Sequence, residues 1–300
     1  CSLLQAIEAM PSLTETSLKR FIRDMFEGLA ALHAAQIVHR DVKPDNFLCF
    51  GRQRVVKLCD FGLAAPSRKH GLYGVCGTPP FMSPEMLRDM PYDGRSDVWA
   101  MGVILYAFLL GEFPYMPAEL TSFAMKSAIA RGRPGPSFAP SKKLRAAGGA
   151  RPSTTAAAFL RDTLSRMPEQ RLTAKAALDS DFLAEHWVAQ GREPSLKPAI
   201  SSAKALGVFG LPSTQAKAAR ARFARLEERL AELQQASARA PASVVPTRRS
   251  GGVSKPIARL VALDLDDVAS VASTSAGDSS HHSPVGSVAA AASPTTSPST

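Results

Sequence analysis

The sequence predicts a mainly α-helical domain with one small β-hairpin over residues 1–183, followed by a helical and then a disordered tail. Three observations predict this class. Apolar residues recur at helical spacing through most of the first 183 residues, and strand-like segments are confined to one adjacent pair. Large apolar residues become sparser after that point. The hydrophobic content of 45% is ordinary for a globular protein.

The helices and strands of the domain are predicted as follows. A long amphipathic helix is expected over 14–35, because six large apolar residues fall on one face. They are Phe21, Ile22, Met25, Phe26, Leu29 and Leu32. Two short strands at 47–49 and 55–58 are joined by a turn containing Gly51, which indicates a hairpin. Beyond a loop over 62–84, helical patterns recur at 85–88, 96–110, 119–130, 156–164 and 174–178.

The tail divides into three predicted parts. Residues 184–213 are predicted to be a linker. Over 214–240, apolar residues keep alternating steps of three and four, which favours an amphipathic helix or a short coiled coil. Packing of this helix back on the domain is an equal alternative, and its apolar series at 216–233 is a candidate surface for a partner. Residues 241–300 are rich in Ser, Ala, Pro and Thr, and we expect them to be disordered.

Composition and charge bear on location and partners. The four cysteines lack metal-ligand spacing and no signal segment is recognisable, so we expect reduced thiols in an intracellular protein. The cytoplasm is the predicted compartment, with the nucleus as the open alternative. The net charge of +10 is not accompanied by a nucleic-acid module, and the longest apolar run, 100–110, is shorter than a membrane span. We expect no nucleic-acid partner and no transmembrane segment.

The residues that indicate chemistry lie at 39–46 and 60–62. The first stretch reads His-Arg-Asp-Val-Lys-Pro-Asp-Asn, and the second, across the predicted hairpin, reads Asp-Phe-Gly. Phosphoryl transfer requires a carboxylate that orients the attacking hydroxyl, a cation on the transferred phosphate and ligands for magnesium. The two stretches contain a candidate for each requirement.

This paired pattern resembles the catalytic loop and metal-binding turn of the eukaryotic protein kinases. The resemblance implies that Asp41 receives or orients the substrate hydroxyl proton and that Lys43 neutralises the γ-phosphate of ATP. It implies that Asn46 and Asp60 hold magnesium ions. Lysine two places after the aspartate is typical of serine/threonine kinases, so ATP, Mg²⁺ and protein substrates are expected. The motifs most resemble those of calcium/calmodulin-dependent kinases and related groups.

A second set of residues resembles the supports of that family's site. Residues 77–85 resemble its substrate-docking loop, in which Thr78 is implied to bond to Asp41 and Lys43. Glu85 is implied to pair with Arg171. Asp97, at the start of the apolar helix, is implied to hold the backbone of the catalytic loop.

The remaining motif residues are interpreted as structural or regulatory. His39 is implied to pack against Phe61, beside Gly62, and not to act as a base or a metal ligand. Arg40 is implied to receive an activation-loop phosphate. The usual acceptor position, four residues before Thr78, is Gly74, so this switch is predicted to be absent. Ser67 and Tyr73 remain as other candidate acceptors.

One part of the family pattern is not present in these 300 residues. The family also uses a glycine-rich loop and a lysine–glutamate pair upstream of the catalytic loop. Only 38 residues precede His39, and a helical pattern is under way soon after Cys1. We therefore expect a C-terminal lobe without its N-terminal lobe, inactive alone, from a longer active kinase. The alternative is a pseudokinase or scaffold acting through the helix at 216–233 and the tail.

Overall fold

The computed structural model describes residues 1–51, 54–184 and 193–209. The parts of the tail predicted to be a helix and a disordered segment, 214–240 and 241–300, lie outside the described residues. The possible partner surface at 216–233 lies outside them too.

Two helices, α1 (Leu3–Glu8) and α2 (Glu15–Ala34), precede the catalytic loop. Thr14 begins α2 with a capping box, in which the Ser17 N–H donates to Thr14 Oγ1 at 3.3 Å and the Thr14 N–H donates to Ser17 Oγ at 2.8 Å. All six residues of the predicted apolar face are buried. The helix predicted over 14–35 is therefore confirmed, and α1 agrees with the helical pattern expected soon after Cys1, for which no bounds were predicted.

The predicted hairpin is present. Strands β2 (Phe47–Phe50) and β3 (Val55–Leu58) pair antiparallel, with Phe47 opposite Leu58. A single turn of 3₁₀ helix, Pro44–Asn46, leads into β2. A second pair, β1 (Ile37–Val38) with β4 (Ala65–Pro66), has two residues in each strand and was not predicted, because so short a strand shows no alternation.

Between the hairpin and residue 184, the structure describes six α-helices. They are α3 (Pro84–Leu87), α4 (Arg95–Leu110), α5 (Ser122–Arg131), α6 (Lys142–Ala146), α7 (Thr154–Thr163) and α8 (Ala174–Leu178). Helix α4 is buried on every side and contacts both α2 and α7, as its continuous apolar sequence predicts. Helix α5 begins later than predicted because Thr121 caps it, accepting the Ala124 N–H at 3.1 Å. Helix α6 was not predicted.

The linker predicted over 184–213 contains a further helix, α9 (Lys197–Ala205), which packs against α4. The Leu196 N–H donates to the Leu13 carbonyl at 2.8 Å, and the Phe209 ring stacks on Phe108 at 5.4 Å. The linker prediction is therefore wrong for this part of the segment. The cause is composition, since Leu196 and Ile200 are the only large apolar residues at the start of the helix and two residues are too few to define a period.

No helix in the described ranges is both long enough and apolar enough to cross a membrane. Helix α4 has only 16 residues, and α2 carries charged residues along its exposed face.

Candidate active site

The hairpin brings the two predicted motifs together at its open end. The Cys59 N–H donates to the Asn46 carbonyl at 2.8 Å, and the Cys59 thiol donates to the same oxygen at 3.2 Å. Asp60 is the next residue along the chain. The two candidate magnesium ligands, Asn46 and Asp60, therefore lie at the same end of the hairpin.

The Asp41 carboxylate is held by three neighbouring side chains. Thr78 Oγ1 donates to Asp41 Oδ1 at 2.7 Å, and Lys43 Nζ donates to Asp41 Oδ2 at 2.5 Å. Lys43 Nζ also donates to Thr78 Oγ1 at 3.1 Å. Asn46 Nδ2 donates to Asp41 Oδ2 at 3.4 Å and to the Asp41 main-chain carbonyl at 2.8 Å. The bonds implied for Thr78 are thus present, and they orient a carboxylate that has a cation beside it.

The Asn46 side chain has the properties of a metal ligand. It is fully buried, and within the described part of the chain its Oδ1 atom has no hydrogen-bond partner. A buried amide oxygen without a partner costs free energy unless a ligand supplies one. Magnesium takes oxygen ligands and commonly uses one or two protein groups together with substrate phosphates. Asn46 and Asp60 fit that donor set.

Larger metal clusters are not seen in the part of the chain that the structure describes. No group of three or more His, Cys, Asp or Glu side chains there is arranged to hold a metal ion. A magnesium ion held by one amide and one carboxylate would not form such a group.

Two residues of the site have strained backbone conformations, and Asp97 contacts one of them. Arg40 and Asp60 have φ values of 67° and 68°, in the left-handed region that residues other than glycine rarely adopt. The buried Asp97 carboxylate accepts the Arg40 N–H on Oδ1 and the His39 N–H on Oδ2, each at 2.9 Å. Asp97 therefore contacts the catalytic-loop backbone as the resemblance implies.

His33 is a support that the sequence did not reveal. Its Nε2 atom lies 2.9 Å from Asp97 Oδ2, so it contacts the same oxygen as the His39 N–H. The ring lies against Gly94, where a Cβ atom would come within 2.8 Å of it. His33 lies in the last turn of α2, far from both motifs in sequence, and no local pattern distinguishes it.

His39 is held as a neutral ring. The Asp41 N–H donates to His39 Nδ1 at 3.3 Å, so the ring proton is on Nε2 and points to the Cys59 carbonyl at 3.2 Å. Complete burial lowers the pKa of His39, although Asp97 acts in the opposite direction. The ring meets Phe61 edge-on at 5.4 Å between centroids. Gly62 follows in a turn that the Ala64 N–H closes onto the Phe61 carbonyl.

The segment 77–85 contacts residues 40–41 at its start, and at its end Glu85 contacts Arg171. Gly77 has a φ of 96° and lies directly on the Arg40 carbonyl, where a side chain would collide, so glycine is required to place Thr78 beside Asp41. At the other end, Glu85 pairs with Arg171 through two bonds of 2.6 and 3.0 Å. Both side chains are buried.

Comparison with known proteins agrees with this geometry. The family described as "Protein kinase domain" matches residues 1–183. The serine/threonine-protein kinase TIO of Arabidopsis thaliana is 32% identical over 185 residues, covering 61% of this chain and 13% of that protein. The human serine/threonine-protein kinase H2 is 39% identical over 118 residues, covering 38% of this chain and 31% of the relative. A probable myosin light chain kinase of Dictyostelium discoideum is 33% identical over 178 residues, covering 58% and 48%.

The chain belongs to the protein kinase family, and it resembles the eukaryotic serine/threonine kinases of that family. It spans between 13% and 48% of the length of these three relatives.

Proposed function

We propose that a longer protein containing this chain transfers the γ-phosphate of ATP to serine or threonine hydroxyls of protein substrates. The observation that carries the proposal is the Asp41 carboxylate, bound by Thr78 at 2.7 Å and by Lys43 at 2.5 Å, together with the buried Oδ1 atom of Asn46, which has no hydrogen-bond partner among the described residues. The serine/threonine kinases among its relatives support the same reaction.

Each of these side chains has a distinct part in the proposed reaction. Asp41 accepts a hydrogen bond from the substrate hydroxyl and takes its proton as the hydroxyl oxygen bonds to the γ-phosphorus, while the bond from that phosphorus to the β–γ bridging oxygen breaks and ADP leaves. Lys43 stabilises the negative charge on the transferred phosphate, and Thr78 fixes the orientation of the carboxylate. Asn46 and Asp60 are the proposed magnesium ligands, and bound magnesium supplies charge neutralisation on the phosphate oxygens.

We expect the 300-residue chain alone not to transfer phosphate. The 38 residues before His39 contain a single glycine, Gly28, and therefore no glycine-rich loop to cover the phosphates. We propose that this chain forms the C-terminal lobe and that an ATP-binding lobe completes the site.

The first prediction concerns Asp41. In a longer protein that carries the ATP-binding lobe, Asp41→Asn keeps the shape of the side chain but removes the base. We expect the transfer of labelled phosphate from ATP to a serine/threonine peptide library to fall about 100- to 10,000-fold. The control is Asp179→Asn, which changes an exposed carboxylate at the end of α8 and should leave activity unchanged.

The outcomes separate the proposal from its alternative. Transfer by the wild-type protein that survives Asp41→Asn would contradict the role of Asp41. Absence of transfer by the wild-type protein, with partners recovered through residues after 183, would favour the pseudokinase or scaffold. Transfer by the 300-residue chain alone would contradict the need for a second lobe.

A further inference from the structure

The segment between the two motifs and the helices, residues 62–84, is here called the activation segment. It is attached at both ends. Near its start, β4 pairs with β1 and the Ser67 N–H donates to the Gln36 carbonyl at 2.7 Å. Near its end, Gly77 lies on the Arg40 carbonyl and Thr78 bonds to Asp41. Residues 68–76, between these attachments, are the part that needs a separate contact.

That middle part is joined to the stretch before α4 through Tyr92. The Leu72 N–H donates to the Tyr92 carbonyl at 2.7 Å, and the Tyr92 N–H donates to the Leu72 carbonyl at 2.9 Å. Gly71 has a φ of 81° and approaches Pro91 so closely that a Cβ atom would lie 2.8 Å from the proline side chain. A small buried cluster lies beneath these contacts. It contains Val38, Leu72, Met82, Met86 and Tyr92.

The Tyr92 hydroxyl reaches the residues beyond Leu72. The hydroxyl donates a shared hydrogen bond to two main-chain carbonyls, that of Gly74 at 3.2 Å and that of Tyr73 at 3.4 Å. Burial raises the pKa of Tyr92, so the hydroxyl keeps the proton that this contact uses. The side chains of Tyr73 and Val75 are 58% and 49% exposed and Gly74 has none, so the main chain carries the attachment here.

The same hydroxyl lies beside the residue that the family uses to bind a phosphate. The Arg40 guanidinium is close enough to act on the titration of Tyr92, and Arg40 Nε donates to the Leu63 carbonyl at 2.6 Å. Cys76 Sγ lies 3.8 Å from the hydroxyl. Arg40 thus contacts the activation segment at Leu63 and lies near Tyr92, which is outside that segment. The position expected to carry the phosphate is Gly74.

We propose that Tyr92 is a positioning residue for the reaction, whose hydroxyl holds the main chain of residues 73–74 near Arg40 and orders the activation segment without a phosphate. The contact is a neutral hydrogen bond that requires no phosphate. This inference rests on the proposed kinase function, and it concerns how the substrate-docking loop is held in place.

The first test measures order in the chain itself and does not depend on activity. Tyr92→Phe keeps the buried ring and removes the hydroxyl. In the unphosphorylated 300-residue chain, we expect amide hydrogen exchange in peptides covering 71–77 to speed up about three- to tenfold, the effect of losing one hydrogen bond. Peptides from α4 should not change.

The matched control is Tyr106→Phe. Tyr106 is also buried, and its hydroxyl donates to the Ser137 carbonyl at 2.6 Å, away from the activation segment. This variant loses a comparable bond, so it should leave exchange at 71–77 unchanged. Equal exchange at 71–77 in wild type and Tyr92→Phe, or an equal increase in both variants, would overturn the proposal.

The second test uses the longer protein with its ATP-binding lobe. After phosphatase treatment, verified by mass spectrometry, the wild-type protein should keep its peptide kinase activity. Tyr92→Phe should raise the KM for the peptide about three- to tenfold and leave the KM for ATP unchanged, because the docking loop is loosened and the catalytic loop is not. A general loss of folded protein would lower the apparent kcat of Tyr92→Phe. It would not raise the KM for the peptide relative to the KM for ATP.

The results distinguish failure of this inference from failure of the proposed function. If the wild-type protein transfers phosphate but loses activity on phosphatase treatment, or if the peptide KM is unchanged in Tyr92→Phe, the role of Tyr92 is wrong. If the wild-type protein shows no transfer at all, the proposed function is wrong, and the exchange measurement alone decides whether Tyr92 orders the segment.

Discussion

The protonation state of His39 follows from its hydrogen bonds. One ring nitrogen accepts the Asp41 N–H and the other faces the Cys59 carbonyl, so a second proton would point at a donor. The ring is buried and packs on Phe61. His39 therefore links the backbone of the catalytic loop to the residues around Asp60 only while it is neutral.

The second prediction is that His39 makes stability depend on pH. Its pKa is lowered in the folded chain, so the unfolded chain binds more protons below pH 6.5 and stability falls as the pH decreases through that value. We expect a loss of up to about 1.4 kcal/mol between pH 7.5 and pH 5.5 from this residue. Denaturant unfolding at both pH values measures it.

The control for His39 is a variant without the titrating ring. His39→Gln should show a smaller loss between the two pH values than wild type, whatever its stability at pH 7.5. The other histidines and the carboxylates are the same in both proteins, so the difference isolates His39. Identical pH dependence in both would mean that His39 titrates equally in the folded and unfolded chain.

Arg171 connects three elements of the fold. Besides its two bonds to Glu85 in α3, it donates to the Arg95 carbonyl at the start of α4 at 2.8 Å and to the Ser165 carbonyl after α7 at 2.9 Å. The guanidinium also lies over the Trp99 ring at 5.1 Å. The fixed fork of donors in arginine makes this set of contacts possible, and lysine lacks it.

The third prediction follows from the burial of this ion pair. Arg171→Met leaves the Glu85 carboxylate buried without its partner, and we expect a loss of about 3–5 kcal/mol in the free energy of unfolding. The double variant Arg171→Met/Glu85→Met should recover part of that loss, because no unpaired charge remains. The control is Lys204→Met, which breaks an exposed pair with Glu8 and should cost less than about 1 kcal/mol. Equal costs for the two single variants would contradict the prediction.

Some of the helices, strands and contacts could be predicted from the sequence and others could not. Helix α2 was predicted because its apolar residues repeat at helical spacing over 20 residues. The hairpin was predicted because two short apolar segments flank a turn containing Gly51, and Asp41, Asn46 and Asp60 because each lies in a contiguous motif. Helix α9 and the contact of His33 with Asp97 were not. Their partners lie far along the chain, so the burial that defines them appears only after the fold has formed.

At the scale of the whole molecule, the folded unit extends past residue 183, where the match to the kinase family ends. The carboxylate of Glu193 accepts the Thr16 N–H at 3.1 Å, in the first turn of α2. Lys204 Nζ contacts Glu8 Oε1 at 2.6 Å, on α1. Helix α9 thus joins the end of the described chain to its beginning, across the surface of α4.

The fourth prediction tests whether α9 is part of the core. Ile200 lies on the buried face of α9, 4% exposed, whereas Lys197 lies on its exposed face. Ile200→Ala should lower the free energy of unfolding of the 300-residue chain by about 2 kcal/mol or more, because it removes buried methylene groups and leaves a cavity. Lys197→Ala changes the same helix at the surface and should stay within about 0.5 kcal/mol of wild type. Urea unfolding followed by circular dichroism measures both values. A linker would tolerate both substitutions equally, so equal midpoints would mean that α9 does not stabilise the folded unit. A loss confined to Ile200→Ala would place α9 inside the folded unit.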